Sequence, residues 1–360
     1  MASPVSSWNE WDPLEEVIVG TARGAAEIGY EPGLAAYFPE GSADRAFRGR
    51  PVEPALVDEA ERQLDGLAAL LSARGITVRR PEPVDHCTPF ATPDWRVEVG
   101  RAGACPRDAL LVVGDEIIEA PMALRARAFE ARAYRGLIHS YVRGGARHVA
   151  APAPRRTDAL YRDEDPWLAD IEPVFDAACF ARCGRDIFWQ PDMVSNQAGA
   201  DWLGGHLGPD FRIHRVRFRE ATPMHIDATL VPIRPGLVLV NPDRPCIHGD
   251  IGLFAANGWR MVPAPPSVRS ARPRPGSASR VARTRGRAPA SAQAVAQVPS
   301  VLPLSAIVMR AVKGNPVSRK ASSLRTLGPR SRSSSMTGTT ISTCAAARPL
   351  TCSGWPCSSS

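Results

Sequence analysis

The sequence predicts an α/β protein built from one supersecondary unit used repeatedly. Three observations lead there. Short apolar runs pair around glycine-containing turns, and each pair is followed by a helical stretch and a further strand. This strand–strand–helix–strand pattern occurs about four times, at a spacing of roughly 50 to 70 residues that suits repeat architectures. The rhythm then stops near residue 264, where the composition changes.

The elements follow in order. Residues 16–19 read as a strand ending at Gly20. Leu56, Ala60, Leu64, Leu67 and Leu71 recur with helical period, Gly75 supplies a stop, and residues 76–80 alternate like a strand. Residues 109–113 and 116–119, joined by Gly114-Asp115, predict a hairpin, followed by a helix over about 122–142 and a strand near His148. Residues 174–182 and 187–190, turning at Gly184-Arg185, repeat the hairpin. Asn196 is placed to cap a helix to Leu207, and residues 211–217 alternate. Residues 225–233 and 237–240 flank the turn Arg234-Pro235-Gly236, ahead of a short helix at 251–257 and a strand at 259–262.

Composition narrows the class. With 360 residues, 44% hydrophobic and 22% charged, the chain can bury a sizeable core. It has no apolar run of eighteen residues, so no membrane span is expected. Met1 to Glu10 lacks the basic and apolar regions of a secretory signal. Eight cysteines without a Cys-x-x-Cys pair suit neither a disulfide scaffold nor a zinc ribbon, and a reduced, cytoplasmic setting is expected. The net charge of +7 is split: 28 basic against 37 acidic residues up to Asp250, then 16 basic and no acidic ones. All seven histidines precede Gly249, and Trp355 is the one aromatic after Trp259. Residues 265–360 therefore read as an atypical, disordered, basic tail rich in Ser, Arg, Ala and Pro. The two lysines, Lys313 and Lys320, against 42 arginines indicate G+C-rich coding, and the tail reads as a shifted frame of it.

Polar groups gather at strand ends: Cys105-Pro106-Arg107-Asp108, Phe175-Asp176, Met224-His225-Ile226-Asp227 and Asn241-Pro242-Asp243-Arg244. Taken singly, Asp108 is an ordinary turn residue, Asp176 a local backbone acceptor, His225 a structural histidine and Arg244 a solvated charge. In a repeat fold, however, equivalent strand ends converge, and so much buried charge without pairing would be costly. His225 and Asp227 alternate with Ile226, so both are expected on one face of a strand. Asp108 and Asp227 suit a planar guanidinium, Arg244 a carboxylate, and Asp176 the orientation of His225 as acid and base. Such a site fits arginine but lacks a nucleophile.

Trp8-Asn-Glu-Trp-Asp-Pro-Leu-Glu-Glu-Val-Ile-Val-Gly20 resembles the opening of the arginine amidinotransferases. Pro106-Arg-Asp108, Glu116-Ile-Ile-Glu-Ala-Pro-Met122, Phe175-Asp-Ala-Ala178, Gly184-Arg-Asp-Ile-Phe188, Met224-His-Ile-Asp-Ala-Thr229 and Asn241-Pro-Asp-Arg-Pro245 resemble that family in the same order. The resemblance implies a five-bladed propeller of ββαβ units, the pentein fold. Residues 1–264 would form the catalytic domain, with the fifth unit missing or replaced by the basic tail. It implies ping-pong transfer of the amidino group of L-arginine to an amine through an amidino-cysteine. His225 would shuttle the proton and Asp176 would be its partner. Asp108, Asp227, Arg244 and Met224 would bind substrate. The resemblance implies a homodimer that needs no metal or organic cofactor.

The family nucleophile lies in a Gly-Gly-Gly-x-His-Cys segment that this sequence lacks; Cys344, Cys352 and Cys357 stand in Ser/Ala-rich contexts, so no nucleophile is assigned. Cys105, Cys179, Cys183 and Cys246 are expected to be small structural residues. The expected acceptor is an inosamine phosphate of streptomycin-type antibiotic biosynthesis, with glycine as the alternative. Hydrolysis, as in the arginine deiminases, is disfavoured by the N-terminal motif. A third reading is a non-catalytic paralogue whose basic tail binds polyanions; without aromatics, selective nucleic-acid recognition is not indicated.

Overall fold

A computed structural model describes residues 3–38, 49–220, 222–249 and 251–264, and the backbone of 306–311. Four sheets there share one topology: an antiparallel pair, then a helical crossover to a strand parallel to the second. In the second unit, β3 (Leu110–Val113) pairs antiparallel with β4 (Glu116–Glu119). Helix α2 (Arg135–Arg143) then leads to β5 (Arg147–Ala150), parallel to β4. The third unit is β6 (Phe180–Cys183), β7 (Asp186–Trp189), α3 (Gln197–Leu207) and β8 (Arg212–Phe218). The fourth is β9 (Leu230–Arg234), β10 (Leu237–Val240), α4 (Gly252–Ala256) and β12 (Arg260–Pro263). A strand not foreseen, β11 (Cys246–Gly249), adds an antiparallel edge to β8. No described helix is long and apolar enough to cross a membrane.

The first unit joins the two ends of the described chain. β1 (Leu14–Val19), α1 (Pro54–Ser72) and β2 (Thr77–Arg79) supply strand, helix and parallel strand. The missing outer strand comes from β13 (Ala306–Ala311), antiparallel to β1 with Val17 opposite Val308. This strand lies inside the segment read as a disordered tail, so that reading is corrected at 306–311. The expected fifth unit and the remaining tail lie outside the described residues.

The core explains the alternation. Leu111 and Val113 pack in one cluster with Ile118, Phe175, Phe180 and Trp189. Leu110 and Val112 pack in another with Ile117, Tyr134 and Ile138. A strand buried on both faces must be apolar throughout, as Leu110–Val113 is. Helix α1 is amphipathic because only one face meets Val17 and Val19, through Leu64 with Ala60 and Leu67 beside it. Asn196 caps α3 as the sequence predicts, its side chain accepting from the Gly199 backbone N–H at 2.9 Å.

Close backbone approach fixes Gly20 at the end of β1. A Cβ there would lie 2.3 Å from the Ala104 carbonyl oxygen. Gly20→Ala is therefore expected to destabilise the protein by about 1–3 kcal/mol, the usual cost of overpacking. Urea denaturation checks this, and a loss within the scatter of surface substitutions would show that the Ala104 segment yields freely.

Three expected elements differ in a way that builds the site. The helix read over 122–142 is regular only as α2; before it run tight turns at Arg125–Arg127 and Glu130–Tyr134. The strands read from 174 and from 225 begin only at Phe180 and Leu230. One helical turn precedes each, Ala177–Cys179 and Ile226–Ala228, just as Pro106–Ala109 precedes β3. His225 has φ +60°. The expectation that His225 and Asp227 share a strand face is thus overturned, because a turn ahead of the strand aims them individually.

Candidate active site

Of these three turns, Ala177–Cys179 touches both of the others. They bring Asp108, Asp176 and His225, all buried, to one point. The Nε2 of His225 lies 3.1 Å from Asp176 Oδ2, and its Nδ1 lies 3.8 Å from Asp108 Oδ1. Burial by itself would lower the imidazole's pKa. Asp108, then Asp176 and Asp227, more than reverse this and raise it to about 9. Because the folded value lies above the ordinary 6.5, the stabilisation from this charge is complete below that pH and is lost as pH rises through about 9. Denaturation midpoints between pH 6 and 10 are expected to fall in this window for the wild type, with the fall reduced in His225→Gln. Parallel curves for the two proteins would contradict the assignment.

Arg127 holds the carboxylates, and sequence reasoning missed it. Its guanidinium donates to Asp176 Oδ2 at 2.7 Å, to Asp108 Oδ2 at 3.0 Å and through two nitrogens to Glu130. The available signal was Arg127 and Glu130, three residues apart within the largely apolar stretch from Met122 to Tyr134. Burial opposes the charge on Asp108, but His225 and Arg127 overcome it and lower its pKa. One carboxylate oxygen each of Asp108 and Asp176 and one ring nitrogen of His225 lie within 4.8 Å of one another, a spacing that a metal could use. Arg127 already supplies the positive charge there, so the donor set does not fit a divalent cation.

Asp227 is half-buried at the same site. Burial raises its pKa, against the pull of Arg107 and His225. Arg107 itself is fixed by the Ala177 and Phe180 carbonyls at 3.0 and 2.7 Å. The N-terminal motif braces this side. Glu10 receives both Nε and Nη2 of Arg182, at 2.9 and 3.0 Å, and lies 3.4 Å from Arg107. Burial opposes the charge on Glu10, yet Arg182 and Arg107 bring its pKa down to about 2. Trp8 covers Gly114, and its carbonyl accepts from Gly184, so the motif ties both hairpin turns.

Met224 is half-buried against the core beside His225. Arg244 pairs with Glu220 at 2.6 Å, with Thr229 Oγ1 at 3.3 Å, in a half-exposed position.

No family model matches the chain. It is 41% identical over 282 residues to the L-arginine:L-lysine amidinotransferase of Pseudomonas savastanoi pv. phaseolicola, a match covering 74% of this chain and 75% of that protein. The chain belongs to the amidinotransferase family. It is also 43% identical over 280 residues to the mitochondrial glycine amidinotransferase of Gallus gallus, spanning 73% of this chain but only 66% of that protein. In structure, this amidinotransferase family member superposes on the inosamine-phosphate amidinotransferase of Streptomyces griseus with a TM-score of 0.68 and 41% identity, over 73% of this chain and 76% of that one. SxtG, an amidinotransferase of Microseira wollei, gives 0.68 and 42% over 73% and 77%. The strand–strand–helix–strand sheets accordingly belong to the pentein fold.

Proposed function

We propose that this protein transfers the amidino group of L-arginine to an amine acceptor, and that the acceptor is an inosamine phosphate. The observation that carries the reading is the buried set of Asp108, Asp176 and His225 at the ends of equivalent units. A protonated imidazole among carboxylates can give a proton to a leaving amine and take one from an incoming amine. In the first half-reaction a cysteine thiolate adds to the guanidinium carbon. The bond to the ornithine nitrogen breaks, and His225 supplies that nitrogen's proton. In the second, the acceptor amine adds to the same carbon, the C–S bond breaks, and His225 takes the amine's proton as the thiolate returns. Asp108 and Asp227 hold the guanidinium, and Arg244, released from Glu220, holds the substrate carboxylate.

Three of the described cysteines, Cys87, Cys179 and Cys183, do not suit the nucleophile. Burial raises the Cys179 and Cys183 thiols well above their ordinary pKa, with neighbouring carboxylates adding to it, and Cys87 is raised by burial and Asp85. A reactive thiolate needs the opposite, electropositive setting. The remaining cysteines of the tail, Cys344, Cys352 and Cys357, lie outside the described residues. This favours one second reading, a paralogue that binds arginine without turnover. The polyanion-binding alternative rests wholly on the tail.

Support for the inosamine phosphate acceptor is the G+C-rich coding bias together with the likeness to the Streptomyces griseus enzyme; the likeness to glycine amidinotransferase supports glycine instead. The same reading makes the protein cytoplasmic, homodimeric and independent of metal or organic cofactors. The full chain mixed with L-arginine and either an inosamine phosphate, glycine or lysine is the test. Ornithine formed beyond one equivalent per protein only with the inosamine phosphate supports the proposal. Ornithine with another amine moves the acceptor, citrulline replaces transfer by hydrolysis, and bound arginine without either product leaves the paralogue.

A further inference from the structure

We propose that Asp192, which lies outside every motif that marked the site, is the positioning residue that holds Asp176 and His225 at hydrogen-bonding distance. This deepens the amidinotransferase reading, on which the proton-transfer role of that pair rests. Asp192 follows β7 and is buried. Its Oδ1 accepts from the Val194 backbone N–H at 2.9 Å and from Ser195 Oγ at 3.0 Å, which fixes the carboxylate in its own loop. Its Oδ2 accepts from the His225 backbone N–H at 2.8 Å and from Cys179 Sγ at 3.2 Å. Cys179 closes the turn that follows Asp176, and His225 opens the other turn. One oxygen therefore ties both turns, and the Met193 N–H bond to the Pro223 carbonyl at 3.1 Å adds a second tie.

The bond to His225 matters because of the backbone it holds. A φ of +60° is disfavoured for a residue with a Cβ and persists only where the surroundings enforce it. Without its acceptor, the His225 backbone would relax toward negative φ and carry the imidazole off Asp176. The ionisable groups around the imidazole are Asp108 and Asp176 from the neighbouring turns, Asp227 from its own turn, and Arg127 behind the first two. Asp192 also faces Cys179, Glu220 and Tyr37. Burial raises its carboxyl to about 6, against the pull of His225, so at pH 7 to 8 it is ionised and accepts all four bonds.

The test follows His225 directly and requires neither substrate nor turnover, so it stands apart from any failure of the amidinotransferase reading. The full chain is labelled with ¹³C-histidine, the Cε1–H signals are titrated, and His225 is assigned from His225→Gln. The wild-type signal is expected to titrate near 9. Asp192→Asn is expected to lower that by about one pH unit or more, a tenfold change, because the amide turns an NH₂ toward one of the two donor pairs. Loss of a nearby negative charge would also lower it, and a double-mutant cycle separates the two causes. If Asp192 acts through position, its effect disappears in an Asp176→Asn background; an undiminished effect there overturns the proposal. Cys179→Ala, which keeps the Asp192 charge and removes one of its ties, decides the matter if Asp192→Asn does not fold. A smaller shift in the same direction supports the proposal, and an unmoved His225 overturns it.

Discussion

Arg127→Ala is expected to remove about 3–5 kcal/mol of stability, a large share of the 5–15 kcal/mol typical of a folded domain. The guanidinium is the common partner of Asp108, Asp176 and Glu130, and all four side chains are almost fully buried. Without it three carboxylates would lie near one another with one imidazole to balance them. Burial already raises the pKa of Glu130, and Arg127 is what opposes this. The variant should therefore be less unstable at pH 5 than at pH 8, since protonating the carboxylates removes the repulsion. Arg127→Lys should recover only part of the loss, because one ammonium cannot reproduce the planar fork that reaches three partners. Equilibrium denaturation of the three proteins at both pH values checks this. A loss below about 1 kcal/mol, in the range of exposed ion pairs, would mean that water replaces the guanidinium and that the network is not closed.

His225→Gln is expected to slow ornithine release by about 10²- to 10⁴-fold, the usual worth of a placed acid–base group. Glutamine keeps much of the size and can still donate to Asp176, but it cannot deliver and recover a proton. The raised pKa, about 9, means that the free wild-type protein enters the first half-reaction with the imidazole protonated, as an acid should. Single-turnover ornithine release by the wild type should accordingly decline as pH rises through that value. The variant should lack the decline, and its arginine affinity should fall far less than its rate. Rapid-quench measurements across pH 6 to 10 give both quantities. A variant that is slow yet keeps the alkaline decline would assign proton transfer to a different group.

The unit itself was legible in the sequence because period and turn chemistry are local. The apolar pairs around Gly114 and Gly184, the helical face carrying Leu64 and Leu67, and the Asn196 cap all took the predicted form. Asp108, Asp176 and His225 were legible as polar residues beside apolar strands, where charge stands out against its background. Met224 and Asp227 came with them in the same segment, and Arg244 pairs with Glu220.

What sequence alone determined, then, was the repeating unit, its hairpin turns, and most of the groups that could bear charge at strand ends. The tertiary structure decided how those groups were aimed and balanced. Alternation placed His225 and Asp227 on a strand, but the Asp192 bond holds His225 in a left-handed conformation and a turn replaces the strand. Helical period placed Arg127 on an ordinary helix, but two acids, one of them 49 residues away, draw it inward. The strand 306–311 has a weak local signal and exists through its pairing with β1, almost three hundred residues earlier. The physical reason is common to all three. Periodicity reports which face of an element is buried, whereas the partner of one buried charge or one unpaired strand edge is set by distant residues that only the folded chain brings within hydrogen-bonding reach.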